Sequence, residues 1–226
     1  MATFRIRSSN ASSPAILAPH LPVTDKLPNG QRYTISLLFP SSLTLQSQDV
    51  LYRLLDHNMR NLQSNSSFPY TEMSKKEEMF DPTSRFLLAL GETPMDTNDE
   101  LAPRKQQKQQ IDIQEHELLG FCEFRFDVED TLSDKLAEVV YCYELQLRPS
   151  VQKQGMAKKL IGILEDIGRL RKMEKIMLTC LKNNASALSF YRHQGFETDE
   201  IDPTRMSKEE PENGEEVDYV ILSKPL

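Results

Sequence analysis

Between Val139 and Leu222 the hydrophobic pattern switches repeatedly between the strand and helix periods, and this constrains the fold more than any other feature of the chain. Val139 to Leu147 is β-rich. Met156, Leu160, Ile163, Leu164, Ile167 and Leu170 then follow the 3.6-residue period across a helix of about four turns. Lys175 to Cys180 reads as the next strand, Ala185 to His193 as the next helix, and Tyr219 to Leu222 as a closing strand. The series is β-α-β-α-β.

Upstream, Arg32 to Phe39 predicts a strand, and Leu51, Leu54, Leu55, Met59 and Leu62 follow at helical spacing, with Ser47 and Asp49 as caps near the start. Tyr70 to Met79 is a short helical candidate ended by Asp81-Pro82, and Arg85 to Leu90 is an apolar strand. Leu118 to Val128 pairs most economically with Val139 to Leu147 as an antiparallel hairpin across the polar stretch Glu129 to Glu138. Residues 91–115 carry prolines, Asn98 and Asp99, with no apolar side chain from Arg104 to Gln110, and predict a mobile insertion between strands. The class is α/β (α+β), a single domain over residues 26–226. Residues 1–25 have no acid before Asp25, but Pro14, Pro19 and Pro22 break the amphipathic helix of a transit peptide, so a flexible arm is expected.

Charge is unevenly placed. The net charge is -7, yet ten acids between Glu197 and Asp218 face only Arg205 and Lys208. An acidic loop of this kind either attracts a basic peptide or simply keeps the protein solvated. No apolar run approaches the ~18 residues of a membrane span. Cys122, Cys142 and Cys180 match no zinc or redox spacing and suggest a reducing compartment, while His20, His57, His116 and His193 are scattered. Neither a metal nor a membrane partner is expected.

The junction LRPSVQKQGMAKK, Leu147 to Lys159, runs from a strand through a proline turn into a helix. Unpaired amides and the macrodipole favour an anion at such a helix head. Gly155 and Ala157 allow close approach, and Lys153, Lys158 and Lys159 add positive charge. An ordinary turn carrying solvated lysines accounts for the same residues. The P-loop and dinucleotide patterns are both absent.

Gln152-Lys153-Gln154-Gly155-Met156-Ala157 matches the Q/R-x-x-G-x-G/A signature of the GCN5-related N-acetyltransferase (GNAT) family, and Asn184 to Phe196 matches its N-x-x-A-x-x-F-Y-x-x-x-G-F. The resemblance spans roughly Arg85 to Leu222. It implies a mixed, mostly antiparallel twisted sheet splayed at the cofactor site and flanked by helices, with acetyl-CoA as co-substrate. FRFDVE at Phe124 to Glu129, YCYELQL at Tyr141 to Leu147 and IMLTCLKNN at Ile176 to Asn184 further resemble the NatD subfamily, which acetylates histones whose processed ends begin Ser-Gly-Arg-Gly. Gln152 and Ala157 replace the commoner Arg and Gly, and the aromatic patch before the third strand is reduced to Phe68 and Tyr70.

Acetylating an amine requires that the amine be neutral, that a base take its proton and that donors meet the developing oxyanion. An α-amino group with a pKa near 8 is about one-tenth neutral at pH 7, whereas a lysine near 10.4 is almost wholly charged. A modest base therefore suffices at a chain end. Glu144, among Tyr, Cys, Leu and Val, has a raised pKa if desolvated, or is an edge residue paired with a lysine. The resemblance implies Glu144 and Tyr141 as catalytic residues. For the cofactor it implies Leu145, Gln146, Leu147, Gln152, Lys153, Gln154, Gly155, Met156, Ala157, Lys158, Asn184 and Tyr191, with the backbone of Leu145 and Leu147 pairing with pantetheine. Tyr191 either protonates the leaving thiolate or packs on the cofactor. For the substrate it implies Phe68, Asp127, Val128, Glu129, Tyr143, Thr179 and Tyr219. Strand spacing puts Asp127 and Glu129 on one face, where they grip a cation or are simply the first solvated loop residues.

The expected partner is a basic histone tail, without nucleic acid, and the chain is expected to be a cytoplasmic and nuclear monomer. The alternatives are a GNAT enzyme for lysines or small amines, and a binding module without turnover.

Overall fold

The computed structural model describes residues 2–64, 66–92, 110–115, 117–133, 135–206 and 217–226. An eight-stranded sheet forms its centre, in the order β1-β2-β3-β4-β5-β6-β8-β7. The strands are β1 (Val23–Lys26), β2 (Arg32–Leu38), β3 (Arg85–Gly91), β4 (Leu118–Glu129), β5 (Ala137–Leu147), β6 (Lys175–Leu181), β7 (Glu197–Thr198) and β8 (Tyr219–Pro225). The helices are α1 (Phe4–Asn10), α2 (Pro14–Leu17), α3 (Leu45–Gln63), α4 (Glu72–Met79), α5 (Met156–Leu170), α6 (Ala185–His193) and α7 (Pro203–Met206). The expected β-α-β-α-β series is present. Among the described residues, no helix is long and apolar enough to cross a membrane.

Helices cover both faces because the long strands bury both sets of alternating side chains. On one face Met156, Leu160, Ile163, Leu164 and Ile167 of α5 join a cluster with Phe124, Phe126, Val140 and Cys142. On the other, Val50, Leu51 and Leu55 of α3 pack with Phe86, Leu88 and Phe121. The sheet is antiparallel except at its centre. There β5 and β6 run parallel and pair only from Val139–Tyr141 to Lys175–Met177, after which they part. A bulge in the β4–β5 ladder, between Glu123 and Phe124, lies beside the opening and adds local twist.

Several expectations change. Residues 2–25 are folded rather than a flexible arm: Ile6 and Leu17 are buried in the main cluster, Asn10 Nδ2 donates to the Phe126 carbonyl at 3.3 Å, and Thr3 and Arg5 bond Glu138. Pro14 does not oppose this, since it occupies the first turn of α2, where a missing N–H costs nothing. Thr44, not Ser47 or Asp49, caps α3. The Ser47 hydroxyl instead donates to the Ile111 carbonyl at 2.9 Å and accepts the Ile113 amide at 2.8 Å. The predicted insertion is therefore narrower than 91–115: Gly91 ends β3, Ile111 bridges Leu43 and Ile113 is buried, while residues 93–109 lie outside the described residues. In the acidic segment Asp199 pairs with Lys175 at 2.7 Å, and Asp202 accepts the amides of Thr204 and Ile221 at 2.9 and 2.7 Å. These are anchors of the fold, not solvated charges, and residues 207–216 lie outside the described residues.

Candidate active site

Where β5 leaves β6, one edge of β5 has no neighbouring strand, and two continuous cavities lie along the parting. One, of about 610 Å³, is lined by Tyr141, Tyr143, Glu144, Leu178, Thr179, Glu129, Phe68 and Lys75. The other, of about 440 Å³, is lined by Leu145, Leu147, Gln152, Lys153, Gly155, Ala157 and Lys158. Gln146, Asn184 and Tyr191 border both.

The second cavity ends on the head of α5. Lys153 and Gly155 sit in the left-handed region, at φ 60° and 88°, so the chain turns sharply just before the helix. The first backbone bond of that helix head runs from Lys159 N–H to the Gly155 carbonyl at 3.0 Å, which leaves the amides of Lys153 to Lys158 without a backbone acceptor among the described residues. A side chain built at Gly155 would meet open space. Free donors, room and the Lys153 and Lys158 ammoniums together fit a diphosphate. The open edge of Leu145 to Leu147 fits an extended amide-bearing arm, as an added strand does. The residues present thus fit coenzyme A. Gln154 and Met156 line neither cavity: Gln154 Nε2 donates to the Ser150 carbonyl at 2.7 Å, and the Met156 side chain is buried in the core. Only their backbone is available to the turn. Asn184 caps α6, accepting the Ala187 amide at 3.2 Å.

Glu144 is buried beneath α4. Its Oε1 faces Lys75 Nζ at 2.7 Å, and its Oε2 accepts from Gln146 Nε2 at 2.8 Å. Gln146, expected at the cofactor, is thus also a clamp on Glu144, and is itself fixed by Asn58 Nδ2 at 3.0 Å from α3. The pairing with a lysine is the alternative left open by the sequence, but the pair is internal rather than on an edge.

Glu123, opposite Glu144 in the ladder, is a carboxyl that burial raises. It is fully buried, one oxygen accepts from Ser84 Oγ at 2.9 Å and from Arg125 Nη2 at 3.3 Å, and the other has no partner among the described residues. Burial first, then the charge of Glu144, push it up to about 8. Sequence reasoning missed this residue, although an acid inside the apolar run Leu118 to Phe126 was the available signal. The fold holds a proton there that an unfolded carboxyl, with an ordinary value of 4.5, releases. That stability is fully present below about pH 4.5 and is lost as the pH rises through about 8, at up to about 1.4 kcal/mol per pH unit. Glu123→Gln is therefore expected to raise the melting temperature relative to wild type at pH 8.5 and to lose that advantage at pH 5. Parallel melting curves across that range check it.

The other cavity is lined by aromatic rings and acids. Tyr141 Oη lies 2.6 Å from Thr179 Oγ1, and burial pushes its phenol up to about 12, so it stays a donor and not a base. The Tyr143 ring lies 5.0 Å from that of Tyr141 and is capped by the Arg125 guanidinium at 4.3 Å. Glu129 reaches the cavity, and its carboxyl is raised by burial and by Asp127 and Asp130. Asp127 shares that face of β4 but stays off the cavity, accepting the Val128 amide at 2.8 Å, while Val128 packs toward the main core. Tyr219 also stays off it and meets the Phe68 ring edge-on at 5.0 Å, a contact held by Asp218, which accepts the Ser67 amide at 2.7 Å. Tyr191 is buried against Phe190 and Phe196, and burial pushes its phenol well above the ordinary value, so it stays protonated. Among the described residues, no cluster of His, Cys, Asp and Glu could hold a metal ion.

A sheet that opens beside a clamped carboxylate, with an anion-receptive helix head at the far end of the opening, defines an acyltransferase that draws on a coenzyme thioester. Comparison with known proteins narrows the class. The sequence profile of the acetyltransferase (GNAT) family matches residues 65–196, more than half of the chain. The chain belongs to that family and is an acetyl-CoA-dependent acyltransferase with the GNAT fold. Among solved structures, an acetyltransferase from Streptococcus agalactiae aligns with a TM-score of 0.54 at 14% identity, over 86% of this chain and 98% of that one. Arabidopsis thaliana NAA60 in complex with a bisubstrate analogue gives 0.53 at 15%, over 85% and 99%. The NatC complex bound to Gag peptide and CoA gives 0.50 at 17%, over 86% and 98%.

Proposed function

We propose that the chain is a protein N-α-acetyltransferase of the NatD type, acting on the free amino terminus of histone tails that begin Ser-Gly-Arg-Gly. The observation that carries this reading is the placing of Glu144 in a cavity lined by Glu129 and five tyrosine or phenylalanine rings, directly before Leu145 and Gln146, which border this cavity and the coenzyme cavity alike. Bound acetyl-CoA supplies the activated acetyl group. Glu144 takes the proton of the incoming amine, directly or through one water. Its Oε2 is the better acceptor, since Oε1 already faces an ammonium. The Tyr141 phenol donates to substrate oxygen, and Tyr191, whose buried phenol stays protonated, donates a proton toward the thiolate that departs. Glu129, with Asp127 on the same face adding to the field, attracts the arginine that such a tail carries in its third position. The substrate is a basic peptide rather than nucleic acid, and the enzyme works as a monomer in cytoplasm and nucleus.

Purified protein is incubated with labelled acetyl-CoA and a Ser-Gly-Arg-Gly peptide, and the acetyl group is mapped by mass. Label on the α-amine, abolished when that amine is blocked, is the expected result. Label on lysine side chains alone, or none, overturns the substrate assignment.

A further inference from the structure

Helix α4 is polar along its length, EMSKKEEM, yet it turns one lysine inward. Lys75 is 5% exposed and Met79 is the other buried residue of the helix. A lysine is rarely buried without a partner, and a buried ion pair is seldom more stable than an apolar pair of the same size. Its presence is therefore poorly explained by stability. The Lys75 ammonium donates to Glu78 Oε1 at 2.9 Å and faces Glu144 Oε1 at 2.7 Å, so a single side chain joins the substrate-side helix to the carboxylate on β5.

We propose that Lys75 is a positioning residue for acetyl transfer: its ammonium, 2.7 Å from Oε1, supplies the positive charge beside Glu144 and fixes the carboxylate against the rim of the opening. The inference rests on the reading of Glu144 as the base. The surroundings leave this task to Lys75. From β4, Glu123 and Arg125 approach, but Arg125 is committed to Glu123 Oε1 at 3.3 Å, to Ser84 Oγ at 3.0 Å, to the Glu78 carbonyl and to the Tyr143 ring. From β5 come Cys142 and Tyr143, and from α6 Tyr191, all without positive charge. From α3 come the neutral Asn58, through Gln146, and the uncharged Met59 and Gln63. Among the described residues, Lys75 is the one cation within 4.0 Å of Glu144. Lys75 itself stays charged: burial opposes its charge, but Glu144 and Glu78 outweigh that and hold it above the ordinary lysine range.

The experiment compares wild type with Lys75→Gln, Lys75→Arg and Glu78→Gln, all as full chains. It reads the carboxyl titration of Glu144 by carbon-13 NMR and the pH dependence of kcat on the Ser-Gly-Arg-Gly peptide. In Lys75→Gln the carboxyl midpoint and the acid limb of kcat both rise by about one to three pH units. Below both midpoints kcat then falls about tenfold per unit, and the deficit closes as the pH rises. Lys75→Arg restores the midpoint. Glu78→Gln, at a half-exposed position, removes a negative neighbour and moves the midpoint down, which keeps the claim testable if Lys75→Gln fails to fold. A rate deficit equal at every pH, or a Glu144 midpoint unmoved in the folded variants, overturns the proposal. Wild type that leaves the peptide unmodified, while the Glu144 midpoint still moves in the variants, counts against the substrate assignment and for the coupling of Lys75 to Glu144.

Discussion

Glu144→Gln is expected to lower kcat by about 10²–10⁴-fold while leaving the affinity for acetyl-CoA essentially unchanged. The two quantities separate because they are built from different atoms. The coenzyme cavity is bounded by the turn from Lys153 to Lys158 and by the open edge of β5, and the Glu144 side chain does not line it. Glutamine keeps the size and one acceptor oxygen but has no basic site for an amine proton. The substitution also leaves Lys75 with Glu78 alone. Removing one partner of a buried pair commonly costs about 3–5 kcal/mol, and the half-exposed Glu78 places this case toward the lower end. The variant is therefore expected to melt lower than wild type, and its kinetics belong well below that melt. Calorimetric titration with acetyl-CoA and a peptide assay on one sample decide the matter. Activity within tenfold of wild type would sink Glu144 as the base.

Gly120→Ala is expected to cost about 1–3 kcal/mol of stability and to weaken acetyl-CoA binding together with it. Gly120 pairs with Leu147 across the β4–β5 ladder, and a Cβ there would lie 2.3 Å from Leu147 Cδ2 and 2.6 Å from the Gln146 carbonyl oxygen. The leucine methyl can rotate away. The carbonyl belongs to backbone, so the ladder itself must open. It opens where Gln146 clamps Glu144 and where Leu145 to Leu147 line the coenzyme cavity, so a stability defect becomes a binding defect. Urea unfolding paired with coenzyme titration checks this. A variant that unfolds at the wild-type urea concentration contradicts the close approach.

Much of the frame was legible because the signal was local. The α5 stripe, the α6 span Ala185–His193 and the β4–β5 hairpin follow from periodicity and polar breaks within a few residues of each other. The helix-head turn was equally legible, since Gly155 and its lysines are adjacent in the chain. What was missed depended on partners distant in sequence. Ile6 and Leu17 gave no periodic signal among prolines and serines, and they are ordered by strands more than a hundred residues away. Asp199 and Asp202 read as solvated charge because Lys175 and the Ile221 amide, which satisfy them, come from other strands. Tyr219 meets Phe68 only because Asp218 bonds Ser67 across the mouth of the cavity.

By itself the sequence determined the order of the elements from Arg32 to His193, the helix-head turn and the strand that carries Glu144, because each of these follows from short-range steric and hydrogen-bonding preferences. Only the tertiary structure decided the state of the carboxylates. Whether Glu144 is naked or paired, and whether Glu123 is charged or neutral, turns on what lies within a few ångströms, and those neighbours, Lys75 and Ser84, arrive from segments far along the chain. Electrostatic free energy depends on distance and burial in three dimensions, and neither is written in the spacing of residues.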